Sequence, residues 1–314
     1  MGATPARELA STEAALASEL DAAAPRIRSL GGARRRALVL VAFVVGLVVV
    51  WEGLKLLAGD PWRIGQEVVW NPPFRWAFVN DLSLPHVPSI VAAFAAPVQR
   101  GSETSLLVYL VEQAWRTWLE ALIGFFAGAV LGLVLAIAFV HSSLLERAFV
   151  PYVIASQTVP ILALAPMVVL MFGPYMTSVA IISTYLTFFP VTIAMIRGLR
   201  SPDPRALELM RSYAASRAAT LWKVRLPASL PYLFTALKIA ATASVVGAIV
   251  GEGSGNNLPG LGRAIIDFNQ YYITGPEKLW AAIVVSGGLG ILFFSLVRLV
   301  EGRVLRSRPD AGVD

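Results

Sequence analysis

The chain of 314 residues has no cysteine, two histidines (His86 and His141), and charge on only 15% of its positions. Without cysteine there is no disulfide framework, no thiolate-ligated zinc or iron–sulfur centre and no thiol nucleophile. Two histidines are too few for a His-rich metal site. A soluble globular domain carries about a quarter charged residues, so this chain has too few to cover a water-facing surface. It also lacks the G-x-x-x-x-G-K-[ST] loop by which a protein cradles nucleotide phosphates on its own backbone. What it has in abundance is apolar: 56% of residues belong to the hydrophobic set, and the mean hydropathy is +0.67. The solvent is therefore partly lipid. A net charge of +6 would suit nucleic acid only if the basic residues clustered on one solvated face, whereas here they lie between apolar runs.

A bilayer core of about 30 Å requires about 20 apolar residues in helix. Six runs qualify, at 37–58, 119–140, 152–172, 176–196, 231–251 and 279–300. The expected fold is all-α, a polytopic membrane protein with about six transmembrane helices. The first run is uncharged from Ala37 to Trp51, with Glu52 and Lys55 near its end where long side chains reach the interface. It lies too far from Met1 for a signal peptide and no small-residue cleavage site follows, so it is expected to stay in the mature protein. Counted over alternate loops, Lys and Arg divide 18 against six, with Lys55 and Lys238 inside spans. By the positive-inside rule both termini are expected in the cytoplasm. The expected organisation is a cytoplasmic tail (1–36), a first transmembrane helix (37–58), an extracytoplasmic Trp/Pro-rich segment (59–106), a five-helix core (107–300) and a second cytoplasmic tail (301–314). The first tail admits two readings, a flexible or weakly helical segment or a helix lying on anionic lipid. The 59–106 segment likewise reads as an interfacial belt or as a substrate-binding element. Its stretch Leu84 to Phe94 suits a short helix that starts near Pro88 with Ser89 as cap.

The most informative polar segment is the loop 197–230, with seven of the 18 basic residues. Asp203 is placed to cap a helix whose first residue is Pro204, and Ala206 to Met210 favour that helix. Tyr213 to Ser216 are small enough overall for a tight turn, and a second helix is expected over Arg217 to Leu226, stopping at Pro227 and Pro231. Two short helices joined by small residues make a knob that a soluble partner can grip.

The run from Glu208 through Ala214-Ala215-Ser216 to Leu226-Pro227-Ala228 and Pro231 resembles the EAA loop of ABC importer permeases, whose pattern is E-A-A, three residues, G-A, then some ten residues to L-P. Leu209 and Met210 stand in place of the two alanines and Ala214 in place of the glycine, which argues against a strict left-handed turn there. The segments Pro151 to Pro174 and Phe188 to Leu199, and Gly251-Glu252 followed by Pro259-Gly260-Leu261-Gly262, are similar to permeases of the nitrate, sulfonate and taurine type. The resemblance implies the type I ABC importer permease fold and a subunit that is no enzyme. It implies a cytoplasmic ABC ATPase dimer that binds ATP and Mg, leaving this chain without a cofactor. It also implies an extracytoplasmic substrate-binding protein, and a second permease copy, as a homodimer rather than a pair with a related permease. The place implied is a bacterial cytoplasmic (inner) membrane. ATPase coupling then falls to Asp203, Glu208, Arg211, Ala214, Ala215, Ser216, Leu226 and Pro227. The wording of residues 211–252 lies nearer the branch for vitamin-type heterocycles, a thiamine pyrimidine precursor or riboflavin. Nitrate, taurine or an alkanesulfonate is the alternative.

Pro160 and Pro166, Pro190, and Gly247 with Gly251 are expected to break or soften helices along a path wall. Polar residues at membrane depth are few, and the path candidates are Gln157, Thr158, Pro160, Thr187, Thr242, Ser244 and Glu252. For each hydroxyl a bond back to its own helix is the competing reading, and Gly124, Gly128 and Gly132 read as a packing face. Glu252 either faces the path or the binding protein, or is a solvated charge. No acid or base sits at the centre of a span, which leaves a proton- or sodium-coupled carrier without a relay. An intramembrane enzyme lacks any nucleophile–base pair.

Overall fold

The computed structural model describes residues 29–306 apart from 65, 66, 100, 256 and 257, so the expectations for most of the first tail and the end of the second lie outside the described residues. The chain forms two compact units, Met1–Asn80 and Asp81–Asp314.

In the first unit, α1 (Ser29–Leu57) is a 29-residue helix. It begins ahead of the apolar run because Ala and Arg propagate a helix well, and it leaves Leu38, Phe43 and Val49 exposed. After it, β1 (Trp62–Ile64) and β2 (Glu67–Trp70) form an antiparallel hairpin. The Trp70 indole donates to the Leu56 carbonyl at 2.8 Å, tying the hairpin to the end of α1. Phe74, Trp76 and Phe78 then stack in an exposed row with centroids 6.4 and 5.6 Å apart.

The second unit opens with α2 (Val87–Ala93), capped at His86 rather than at Ser89. The Ser89 hydroxyl lies inside the first turn and donates to the His86 carbonyl at 2.7 Å. Eleven further elements follow among the described residues: α3 (Leu106–His141), α4 (Ser143–Ser156), α5 (Ile161–Phe172), α6 (Met176–Leu199), α7 (Pro204–Ser212), α8 (Arg217–Thr220), a π-helical turn (Leu221–Arg225), α9 (Leu226–Ser254), α10 (Leu261–Gln270), the 3₁₀ turn Tyr272–Thr274 and α11 (Pro276–Arg306). Among the described residues four stretches are long and apolar enough to cross a membrane, and a fifth span results if a bent pair counts as one.

That pair corrects the expected third span. Instead of one helix over 152–172, α4 and α5 meet at 100° across the break at 157–160. Pro160 cannot donate an amide to α4 and restricts the residue before it, so α5 starts afresh there. The expected stop at Pro227 and Pro231 is corrected too: α8, the π turn and α9 run as one apolar stretch, Arg217–Ser254. A π turn pairs residues five apart, as Leu226 N–H does with the Leu221 carbonyl. Pro227 falls in the first turn of α9, where its missing N–H and ring are accommodated.

The core is the mutual packing of α3, α6 and α9, and small residues set its spacing. A Cβ on Gly128 would come within 2.6 Å of the Thr187 Cβ, and one on Gly132 within 2.6 Å of the Phe188 carbonyl. Farther along α6, Gly247 and Gly251 of α9 face Ser183 and Val179, and Gly124 of α3 meets the same Ser183. Gly247 and Gly251 therefore lie in a continuous helix and permit close approach rather than softening it. Without a hydrophobic drive between helices in lipid, such contact surfaces and interhelical hydrogen bonds hold the bundle; the Ser183 hydroxyl donates across the seam to the Ser244 carbonyl at 3.0 Å.

Candidate functional site

The loop between α6 and α9 is anchored at its base and bare at its tip. Arg200 pairs with Glu146 of α4 at 2.5 Å, and the Arg225 guanidinium donates to the Leu199 carbonyl at 3.0 Å. Leu221 is buried. Asp203 caps α7 by accepting from Arg205 N–H at 2.8 Å, and Ser216 caps α8 by accepting from Ala219 N–H at 3.1 Å. No residue of α7 is buried, and Leu209, Tyr213 and Trp222 stand 56%, 77% and 70% exposed. Apolar side chains are thus held out on a polar, anchored knob. Glu208 is also exposed, and Leu226 and Pro227 open α9.

Between the two loop helices the turn is left-handed. Ala214 has φ +49°, the one non-glycine residue with positive φ among those described. Its N–H bonds to the Arg211 carbonyl and that of Ala215 to the Met210 carbonyl, both at 2.9 Å, so the end of α7 is closed. The expectation from an alanine at this position was the reverse. The hydrogen bonds that satisfy the last carbonyls of α7 outweigh a steric cost of about 1–2 kcal/mol.

A second site lies where α9 ends. Gly260, at φ +149°, leads into α10. The Glu252 carboxylate accepts from Gly262 N–H at 2.7 Å, and the Thr117 hydroxyl of α3 accepts from Leu261 N–H at 2.9 Å while donating to the Gln113 carbonyl at 3.1 Å. Side chains thus satisfy two of the orphan donors of the first turn of α10. A Cβ on Gly260 would fall on the Glu252 carboxylate, and one on Gly262 on the Ile249 carbonyl. The Pro-Gly-Leu-Gly motif is therefore the shape of this clasp. Glu252 is fully buried. Beside it Glu120 of α3 is 6% exposed, the two carboxyl groups interact, and Glu120 Oε2 and Glu252 Oε1 have no hydrogen-bond partner among the described residues. Sequence reasoning passed over Gln113, Thr117 and Glu120; the available signal was their i, i+4, i+7 spacing on one helical face.

The remaining path candidates separate into three places. Gln157, Thr158 and Pro160 form the exposed break between α4 and α5. Thr187 and Ser244 are buried along the α6 seams. Thr242 is exposed on α9 in line with Thr235, Ile239 and Val246, its hydroxyl bonded back to the Ile239 carbonyl at 2.9 Å.

Residues 128–306 match the family described as binding-protein-dependent transport system inner membrane component. The chain is similar to the formylaminopyrimidine transport permease protein of Halalkalibacterium halodurans, 36% identical over 58% of this chain and 72% of that one. It is also similar to an aliphatic sulfonates transport permease protein of Bacillus subtilis, 32% identical over 76% of this chain and 83% of the other. An inward-facing structure of the MetNI methionine ABC transporter shares its fold, at 19% identity and a TM-score of 0.55 over 64% of this chain and 97% of that one. The chain thus belongs to the binding-protein-dependent inner membrane components, the permease subunits of ABC importers.

Proposed function

We propose that two copies of this chain form the translocation path of an ATP-driven importer for a vitamin-type heterocycle, with a formylaminopyrimidine as the solute class. The anchored knob of α7 and α8, with its exposed Leu209, Tyr213 and Trp222, carries the coupling reading. In it an ATPase dimer that binds ATP and Mg docks on Glu208, Arg211 and the Ala214–Ser216 turn, and this chain catalyses nothing. The exposed stripe Thr235, Ile239, Thr242 and Val246 of α9 supplies a wall of the path. The solute class is supported by the 36% identity to the formylaminopyrimidine permease. The 18 to six division of basic residues supports the orientation with both termini in the cytoplasm.

Two measurements test this. The cognate binding protein is expected to retain a formylaminopyrimidine; retention of taurine or an alkanesulfonate alone moves the solute to the class favoured by the Bacillus relative. Purification of the tagged chain is expected to bring down an ATPase, and Glu208→Ala is expected to lower solute-stimulated ATP hydrolysis. An unchanged stimulation together with no co-purified ATPase overturns the coupling reading.

A further inference from the structure

A second feature of the loop lies on its membrane side. A cavity of about 420 Å³ opens between the last turn of α3, through Val140 and His141, and the loop helices, through Arg211, Arg217, Thr220 and Arg225. Three guanidinium groups and an imidazole line it, and no acidic residue does. Arg225 spends one N–H on the Leu199 carbonyl and keeps the others of its five. Arg211 and Arg217 have no ion-pair partner among the described residues. Arg116, Arg200, Lys238 and Arg263 pair with carboxylates, while Arg147, Arg205 and Lys223 have no ion pair among the described residues, so the cavity is set apart by the convergence of its cations. Arg211 and Arg217 are exposed, so water screens part of their mutual repulsion, and an anion among the converging cations relieves the rest.

The kind of anion follows from the donors and the depth. Planar guanidinium forks match the tetrahedral oxygens of phosphate with two parallel hydrogen bonds. His141 is the last residue of a membrane-length helix, so the cavity lies at headgroup depth whichever way the chain is oriented. Basic pockets between transmembrane helices at that level accommodate anionic headgroups. A docked ATPase would meet the cavity along its Arg211 and Ala215 edge, whereas Val140 and His141 form the wall on the side of the spans.

We propose that this cavity is a phosphate-oxyanion site, occupied by the phosphodiester of an anionic lipid headgroup or by free inorganic phosphate, with Arg217 as the principal unpaired donor. The test uses the transporter complex in nanodiscs of phosphatidylcholine with or without phosphatidylglycerol, with bound lipid counted by native mass spectrometry. In parallel, inorganic phosphate is titrated into the phosphatidylcholine discs. Wild type is expected to retain phosphatidylglycerol, Arg217→Gln to weaken that retention about tenfold, and Arg217→Lys, which keeps charge without the fork, to fall between. Arg147→Gln, an exposed arginine on α4 outside the cavity, is expected to change nothing. Phosphate binding that Arg217→Gln removes, without selective lipid retention, assigns the same site to the free ion. Equal lipid retention in wild type and Arg217→Gln with no phosphate binding overturns the proposal. So does loss of the ATPase from Arg217→Gln while lipid retention stays unchanged, because the cations would then belong to the protein contact. Equal thermal midpoints of the variants confirm that each reading is taken on folded protein.

Discussion

Ala214 bears a backbone conformation that its side chain disfavours, and relieving it is a direct measure of what the turn costs. Ala214→Gly is expected to stabilise the protein by about 1 kcal/mol, read as a raised thermal midpoint in detergent, since the N–H groups of 214 and 215 keep their bonds to α7. Glu252 offers a complementary measurement. Replacing it by Gln keeps an acceptor for the Gly262 N–H and removes one of two adjoining carboxylates, so Glu252→Gln is expected to fold like wild type. Glu252→Ala leaves that buried N–H unsatisfied and is expected to cost about 1–3 kcal/mol. The thermal midpoints of the two variants, compared side by side, check the clasp. Equal destabilisation by both would show that Gly262 finds no partner in this carboxylate.

At the scale of helices, the α3–α6 seam rests on the absence of side chains. Gly128→Val would drive a branched side chain into the Thr187 Cβ and the Thr184 carbonyl, which lie 2.6 and 2.8 Å from the first added carbon. A loss of about 2–3 kcal/mol is expected, detected as a lowered unfolding midpoint with early aggregation. The seam was legible in the sequence because Gly124, Gly128 and Gly132 recur every four residues. The existence of the long helices was equally legible, since apolar runs of bilayer length have few alternatives in lipid. The breaks were legible in part: Pro160, expected to break a helix, ends one and begins another, while Pro166 and Pro190, expected to do the same, and Pro231, expected to stop a helix, lie inside α5, α6 and α9. Pro160 differs in following the unwound Gln157–Val159, and hydropathy carries no information on that. The clasp was half legible: the glycines and Glu252 stood out as a motif, but Glu120 and Thr117 arrive from a helix more than a hundred residues away.

For the molecule as a whole, topology is the property that the amino-acid distribution addresses and packing does not. With 18 basic residues on one set of loops and six on the other, reporter fusions after residue 306 are expected to fluoresce as cytoplasmic GFP and to lack alkaline phosphatase activity; active phosphatase there would reverse the assignment. The continuous stretch Arg217–Ser254 adds a mechanical consequence. Its 38 residues form a rod about 57 Å long at the helical rise of ~1.5 Å per residue. One end carries the exposed loop helices, and the other carries Glu252, on which the first turn of α10 is fastened. A rigid tilt of three degrees about the loop end would move the clasp by about 3 Å, in the manner of a crank that carries motion from one handle to the other.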